Sequence, residues 1–128
     1  MSGPEPIWVT VATALAVHDE QLAEHGGAPG VRDIGLLESA LARPRNAYEH
    51  GERSYAAMAA CLAAGIARNH PFIDGNKRVS LVLMELFLAL NGLELVARDE
   101  DCVVIMLALA SGEVAGDELA EWLAVRIR

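Results

Sequence analysis

His70, Asp74, Asn76, Lys77 and Arg78 fall within nine positions, in the stretch His70-Pro71-Phe72-Ile73-Asp74-Gly75-Asn76-Lys77-Arg78. Those residue types suit phosphate chemistry. An imidazole is the side chain whose ordinary pKa suits a proton acceptor near neutral pH. A carboxylate such as Asp74 can hold Mg²⁺, which uses one or two protein carboxylates and completes its shell with phosphate oxygens and water. Gly75 permits a tight turn into the apolar run that follows, and the first N–H groups of a helix have no intrahelical acceptor. Such a helix end attracts anions through its free N–H groups and its dipole. Lys77 and Arg78 place positive charge at the same end, where they oppose the dipole unless an anion is bound. Phe72 is read as the apolar anchor of the loop. The stretch therefore reads as a nucleotide-phosphate site, Gly75 to Arg78, with the base His70 beside it and a metal ligand at Asp74. The plainer alternatives are Asp74 as a helix N-cap and His70 as a surface residue closing the preceding helix.

A helix must carry this cluster, and Val79–Leu90 supplies one, since only Ser80 and Glu85 are polar in it. A helix apolar on nearly every face belongs at the centre of a domain. Before it, Ser54 caps a helix over 55–69 rich in alanine, whose small side chains let neighbouring backbones approach. Earlier still, Thr10 caps a first helix that ends at Gly26-Gly27, with Val11, Leu15, His18 and Leu22 on one face. His18 on that stripe reads as a hydrogen-bonded packing residue. Asp33 caps a second helix, stopped by Pro44, and 44–53 forms a polar loop in which His50 has no role. Arg68 reads as a charge favoured by the helix C-terminus.

Beyond the apolar helix, Asn91-Gly92 ends it and 93–98 is a short extended segment. Asp99 opens a fifth helix with Val103, Met106, Leu107 and Ala110 inward. Asp117 caps a sixth, with Leu119, Trp122, Leu123 and Ile127 as its apolar stripe. The expectation is a single domain over residues 1–128: an all-α compact bundle of about six helices around a buried central helix.

Composition narrows the function classes. The chain is 53% hydrophobic but only 5% aromatic, so the core is built from Ala, Leu and Val. A net charge of −8 argues against nucleic acid as a partner. Lys77 is the only lysine among ten cations, which singles out its position. Cys61 and Cys102 read as buried free thiols, and no Cys/His spacing suggests zinc. No apolar run reaches membrane-spanning length, and Met1–Pro6 shows no signal-peptide pattern, so a cytoplasmic protein is expected.

His70-x-Phe72-x-Asp74-Gly75-Asn76-Lys77-Arg78 resembles the signature of the Fic/Doc family. With Lys77 in place of a second glycine it resembles the Doc, or death-on-curing, branch. His18-Asp19, Gly26-Gly27-x-Pro29-Gly30 and the 33–41 segment fall where Doc-type toxins carry similar residues. The resemblance implies a toxin that modifies a protein hydroxyl using ATP and Mg²⁺. It makes His70 the base, Asp74 the metal ligand, and Asn76 and Arg78 phosphate contacts. It also implies that 44–53 is a flap beside the target segment.

Fic proteins that transfer AMP usually read Gly-Asn-Gly-Arg-x-x-Arg, whereas here Lys77 replaces the second glycine and Leu81 the second arginine. Both changes match the Doc branch, which uses ATP as a phosphate donor, while Gly75 matches the AMP-transferring form. The resemblance thus implies a protein kinase acting on elongation factor Tu, with an AMP transferase or an inactive antitoxin-binding regulator as alternatives. Many Fic enzymes carry an inhibitory Ser/Thr-x-x-x-Glu-Gly/Asn helix. No glutamate here is followed by Gly or Asn, so restraint by a separate antitoxin protein is expected.

Overall fold

Three of the six helices begin where a side chain caps them. In the computed structural model, which describes residues 4–128, Thr10, Asp33 and Ser54 accept from the backbone N–H three residues on. They open α1 (Val11–His25), α2 (Ile34–Glu49) and α3 (Tyr55–Asn69). Each thereby satisfies one of the N–H groups a helix start leaves without a partner. The others are α4 (Asn76–Leu90), α5 (Asp99–Ser111) and α6 (Gly116–Ala124). The fold is an all-α bundle of six helices, with two isolated antiparallel bridges, Val31 with Phe72 and Leu95 with Ile127, among the described residues. The sequence expectation for Met1–Pro6 falls partly on Met1–Gly3, outside the described residues. Among the described residues no helix is long and apolar enough to cross a membrane.

The central helix is α3 rather than α4. Ten of the fifteen α3 residues are buried against seven of fifteen in α4, and α3 packs on α2, α4, α5 and α6. The reason is size. Its alanines and Gly65 let neighbours close in on several sides, whereas Leu81, Val82 and Leu86 of α4 are left half-buried and Leu90 exposed. At Gly65 an added Cβ would lie 3.1 Å from both Cα and Cβ of Ala40, so α2 rests directly on the α3 backbone. On another side, Ser80 Oγ of α4 donates to the Ala63 carbonyl at 2.7 Å. This buried bond fixes α4 against α3, and with it the loop that joins them.

Expectations about helix boundaries and about one helix face change. Pro44 does not end α2; it lies inside the helix and is buried. An interior proline forgoes one N–H and crowds the preceding turn, but here packing outweighs that cost and α2 runs to Glu49. The 44–53 segment is therefore mostly helix. Its end is held by Trp8 and Arg53, which pack on the Tyr48 ring at 5.8 and 3.9 Å. The second change is the face of α5. Cys102, Met106 and Leu109 are buried, while Val103 and Leu107 are about half exposed. Apolar residues surround that helix, so spacing did not select a face. Ala115 rather than Asp117 is the N-cap of α6, and Ile127 lies past the helix end. As expected, 93–98 is extended; Glu94 and Val96 pair with Arg128 and Arg126 of the last turn of chain.

Candidate functional site

Residues 70–75 join the C-terminus of α3 to the N-terminus of α4 and are shaped from both ends. His70 is the C-cap of α3 at φ 49°, ψ 56°, the left-handed region. Among the described residues it is the one non-glycine with positive φ. Such a position normally goes to glycine. The plain reading of His70 as the residue that closes the helix thus holds together with its exposure to the cavity. Arg32 reaches this turn from the α1–α2 connection: Nε donates to the His70 carbonyl and Nη2 to the Asn69 carbonyl, each at 2.7 Å.

The middle of the loop turns inward. Phe72 is 1% exposed and stacks on the His18 ring with 4.0 Å between centroids. His18 Nε2 in turn donates to the Asp74 carbonyl at 2.9 Å. His18 is thus the hydrogen-bonded packing residue its stripe suggested, and it holds the loop as well. The Asn76 carboxamide closes the turn from the other side. Its Oδ1 accepts from the Phe72 N–H at 3.0 Å and its Nδ2 donates to the Phe72 carbonyl at 2.9 Å. Both ends of that side chain therefore engage the loop backbone, leaving the Asn76 main-chain N–H as its group at the helix end.

Asp74 does not cap α4. Its Oδ1 accepts from the Gly75 N–H at 2.8 Å, and its Oδ2 from the Ala28 N–H at 3.1 Å. These two bonds, Ala28 first, hold its carboxyl below the usual aspartate value, with Arg78 and His18 adding attraction. The group is exposed and ionised at neutral pH. The N-cap of α4 is instead Gly75 at φ 82°, with no side-chain cap. Unlike α1, α2 and α3, this helix offers its first N–H groups to a ligand.

These groups share one cavity of about 450 Å³. His70, residues 73–78 and Leu81 line one side, and Val103, Met106 and Leu107 of α5 line the other. Lys77 and Arg78 are exposed, and neither has a carboxylate within ion-pair distance among the described residues. The cavity thus combines an imidazole, an uncapped helix N-terminus, two cations and a carboxylate with an apolar wall.

Spacing alone did not reveal the parts contributed by the α1–α2 connection and by α5. Gly27, Ala28 and Arg32 approach the loop through pairing of residues 30–33 with 71–73, in which Arg32 N donates to Pro71 O at 2.7 Å and Ile73 N to Gly30 O at 3.1 Å. The glycine-rich run 26–30 was the available signal, since close backbone approach is what glycine allows. No residue of 44–53 lines the cavity. Arg68 points elsewhere, with Nη2 3.5 Å from the Val114 carbonyl. The His50 ring bonds the Asn46 carbonyl of its own helix end. Cys61 is half-buried and Cys102 buried, both as free thiols.

Comparison with known proteins gives a consistent picture. The sequence profile of the Fic/DOC family matches residues 8–88, a span that holds the whole loop and the start of α4 but not the α5 wall. Over 107 residues the chain is 39% identical to the toxin Doc of Mycolicibacterium smegmatis, covering 77% of this chain and 79% of that protein. Over 111 residues it is 34% identical to the protein kinase doc of Escherichia phage P1, covering 85% of this chain and 86% of that protein.

Proposed function

Because the chain belongs to the Fic/DOC family, we propose that it is a Doc-type toxin that moves the γ-phosphate of ATP to a Ser or Thr hydroxyl of a protein. One observation carries the reading. An exposed imidazole shares a cavity with an uncapped helix N-terminus and two cations that lack carboxylate partners among the described residues.

In this reading the phosphates of ATP lie on the N–H groups at the start of α4, with Lys77 and Arg78 neutralising charge on the transferring group. His70 accepts the proton of the attacking hydroxyl. The new P–O bond forms as the bond to the β-phosphate breaks and ADP leaves. The donor set suits Mg²⁺: Asp74 is the one carboxylate lining the cavity, ionised and beside an anion-ready helix end. Asp74 would hold the ion, which when bound neutralises charge on phosphate oxygens. Phe72, His18 and Asn76 keep the loop in shape.

Leu81 supports γ- over α-phosphate transfer, because it lines the cavity where AMP-transferring relatives carry a second arginine. Gly75, at φ 82°, keeps the close backbone approach of the AMP-transferring form and favours AMP transfer as the second reading. By the family resemblance, elongation factor Tu is the first target to test, in the cytoplasm. A separate antitoxin supplies the restraint that no internal inhibitory glutamate provides. The test is incubation with ATP labelled at the γ- or the α-position and a bacterial lysate containing that factor. Label from the γ-position, lost in Asp74→Asn, is expected; label only from the α-position establishes the AMP transferase. With neither label, the protein is an antitoxin-binding regulator without catalysis.

A further inference from the structure

We propose that Arg32 is a positioning residue for His70; this rests on the reading of His70 as the base. Three successive carbonyls, those of Asn69, His70 and Pro71, accept from this one residue. The guanidinium serves the first two at 2.7 Å each and the backbone N–H serves the third at 2.7 Å. The last carbonyls of a helix have no intrahelical partner, and something must satisfy or solvate them. Here a planar fork of donors spans two neighbouring carbonyls at once, which the single ammonium of a lysine does not reproduce.

The need for such a brace follows from the backbone. His70 lies in the left-handed region, where the Cβ of a non-glycine residue crowds the following carbonyl and the backbone is strained. A strained turn persists only where its surroundings over-determine it. The direction of the His70 side chain depends on that φ and ψ, and with it the place of the imidazole in the cavity it shares with the start of α4. Arg32 does not line the cavity, so it acts through the turn and not on a ligand. Nor is its guanidinium needed to seat the rest of the loop. Phe72 is held by His18 and Asn76, Asp33 caps α2 by its own side chain, and the bonds from the Arg32 and Asp33 N–H groups to Pro71 are main-chain bonds that do not involve the Arg32 side chain.

The experiment compares Arg32→Ala, Arg32→Lys and Arg32→Gln with the wild type, each also in the His70→Ala background. Steady-state transfer from ATP is measured with thermal melting and the ring-proton NMR signals of His70. Arg32→Ala is expected to lower kcat by about 10- to 100-fold, the scale of a misplaced catalytic group. KM for ATP should hold, because the phosphates rest on α4. Arg32→Lys and Arg32→Gln should recover part of the rate. In the His70→Ala background the Arg32 substitution should change nothing further, as for residues that act as a unit. The His70 ring signals should broaden or shift in Arg32→Ala.

An unchanged kcat, a KM that rises as kcat falls, or a further loss on top of His70→Ala would overturn the proposal. If wild type transfers nothing from ATP, the functional reading fails by itself, and the ring signals still decide: identical, sharp signals in wild type and Arg32→Ala overturn the positioning role. Should Arg32→Ala not fold, Arg32→Gln and Arg32→Lys carry the same comparison, and wild-type rates in both overturn it.

Discussion

A methyl group at Gly27 would reach the Asp74 carboxylate: an ideal Cβ there lies 2.8 Å from Oδ2, 3.3 Å from Cγ and 3.1 Å from Leu22 Cδ2. Gly26, one residue earlier, has positive φ as well, but a Cβ there meets nothing within 4 Å. The two alanine variants therefore share a backbone cost and differ in whether they touch the site. Forcing a side chain into such a conformation costs about 1–3 kcal/mol. For a domain of this size each kcal/mol lowers Tm by roughly 3–5 °C.

Both variants should thus melt several degrees below wild type. In Gly27→Ala the leucine methyl can rotate aside, but the carboxylate has to leave the Ala28 N–H, the leading cause of its low pKa. Its pKa should rise toward the ordinary value, and its place beside α4 should change. Loss of a group that orients a metal ligand typically costs about 10- to 100-fold. Transfer rates measured against Mg²⁺ concentration, below both melting transitions, should show that fall and a higher Mg²⁺ requirement for Gly27→Ala, with Gly26→Ala near wild type. Equal rates and equal Mg²⁺ dependence in the two variants would refute both the role of Asp74 and its support by the 26–30 turn.

His70→Ala should abolish toxicity and lower transfer by about 10²- to 10⁴-fold, with melting nearly unchanged because the side chain is exposed; growth arrest equal to wild type at matched expression contradicts it. Gly65→Ala should lower stability by about 1–2 kcal/mol although alanine favours helix, because overpacking commonly costs about 1–3 kcal/mol and the new Cβ meets the Ala40 backbone at 3.1 Å; a stabilised variant in urea titration refutes that close approach. Glu85→Gln tests pH linkage. Burial first, then the Asp99 carboxylate, raise the Glu85 carboxyl above its ordinary value. A raised folded pKa favours the fold below the unfolded pKa, and that contribution is lost as pH rises through the folded value. Gln should therefore raise Tm slightly at pH 7, with the gain vanishing below about pH 4, and a gain of equal size at both pH values would contradict the assignment.

Much of this was present in local sequence. Thr10, Asp33 and Ser54 announced three helix starts because an N-cap acts within three residues, and Asn91-Gly92 ended α4 for an equally local reason. The 70–78 stretch marked the candidate site because its imidazole, carboxylate, glycine and cations lie on one short segment whose order fixes the chemistry. Packing between distant segments decided the rest. The centre of the bundle fell to α3 because alanines and glycine admit neighbours closer than leucines do, and hydropathy counts leucine as the more buried type. Val103 and Leu107 turned toward the cavity because α5 is apolar all round and only its contacts choose a face. Pro44 stayed inside a helix because burial outweighed a missing N–H. Arg32 lies 38 positions from His70, and only the pairing of 30–33 with 71–73 brings its guanidinium to the carbonyls of the α3 turn. Sequence alone determined which residues could carry the chemistry, since that depends on side-chain type and short spacing. Tertiary structure alone decided what holds them in place, since the hydrogen bonds and contacts that do so join segments far apart along the chain.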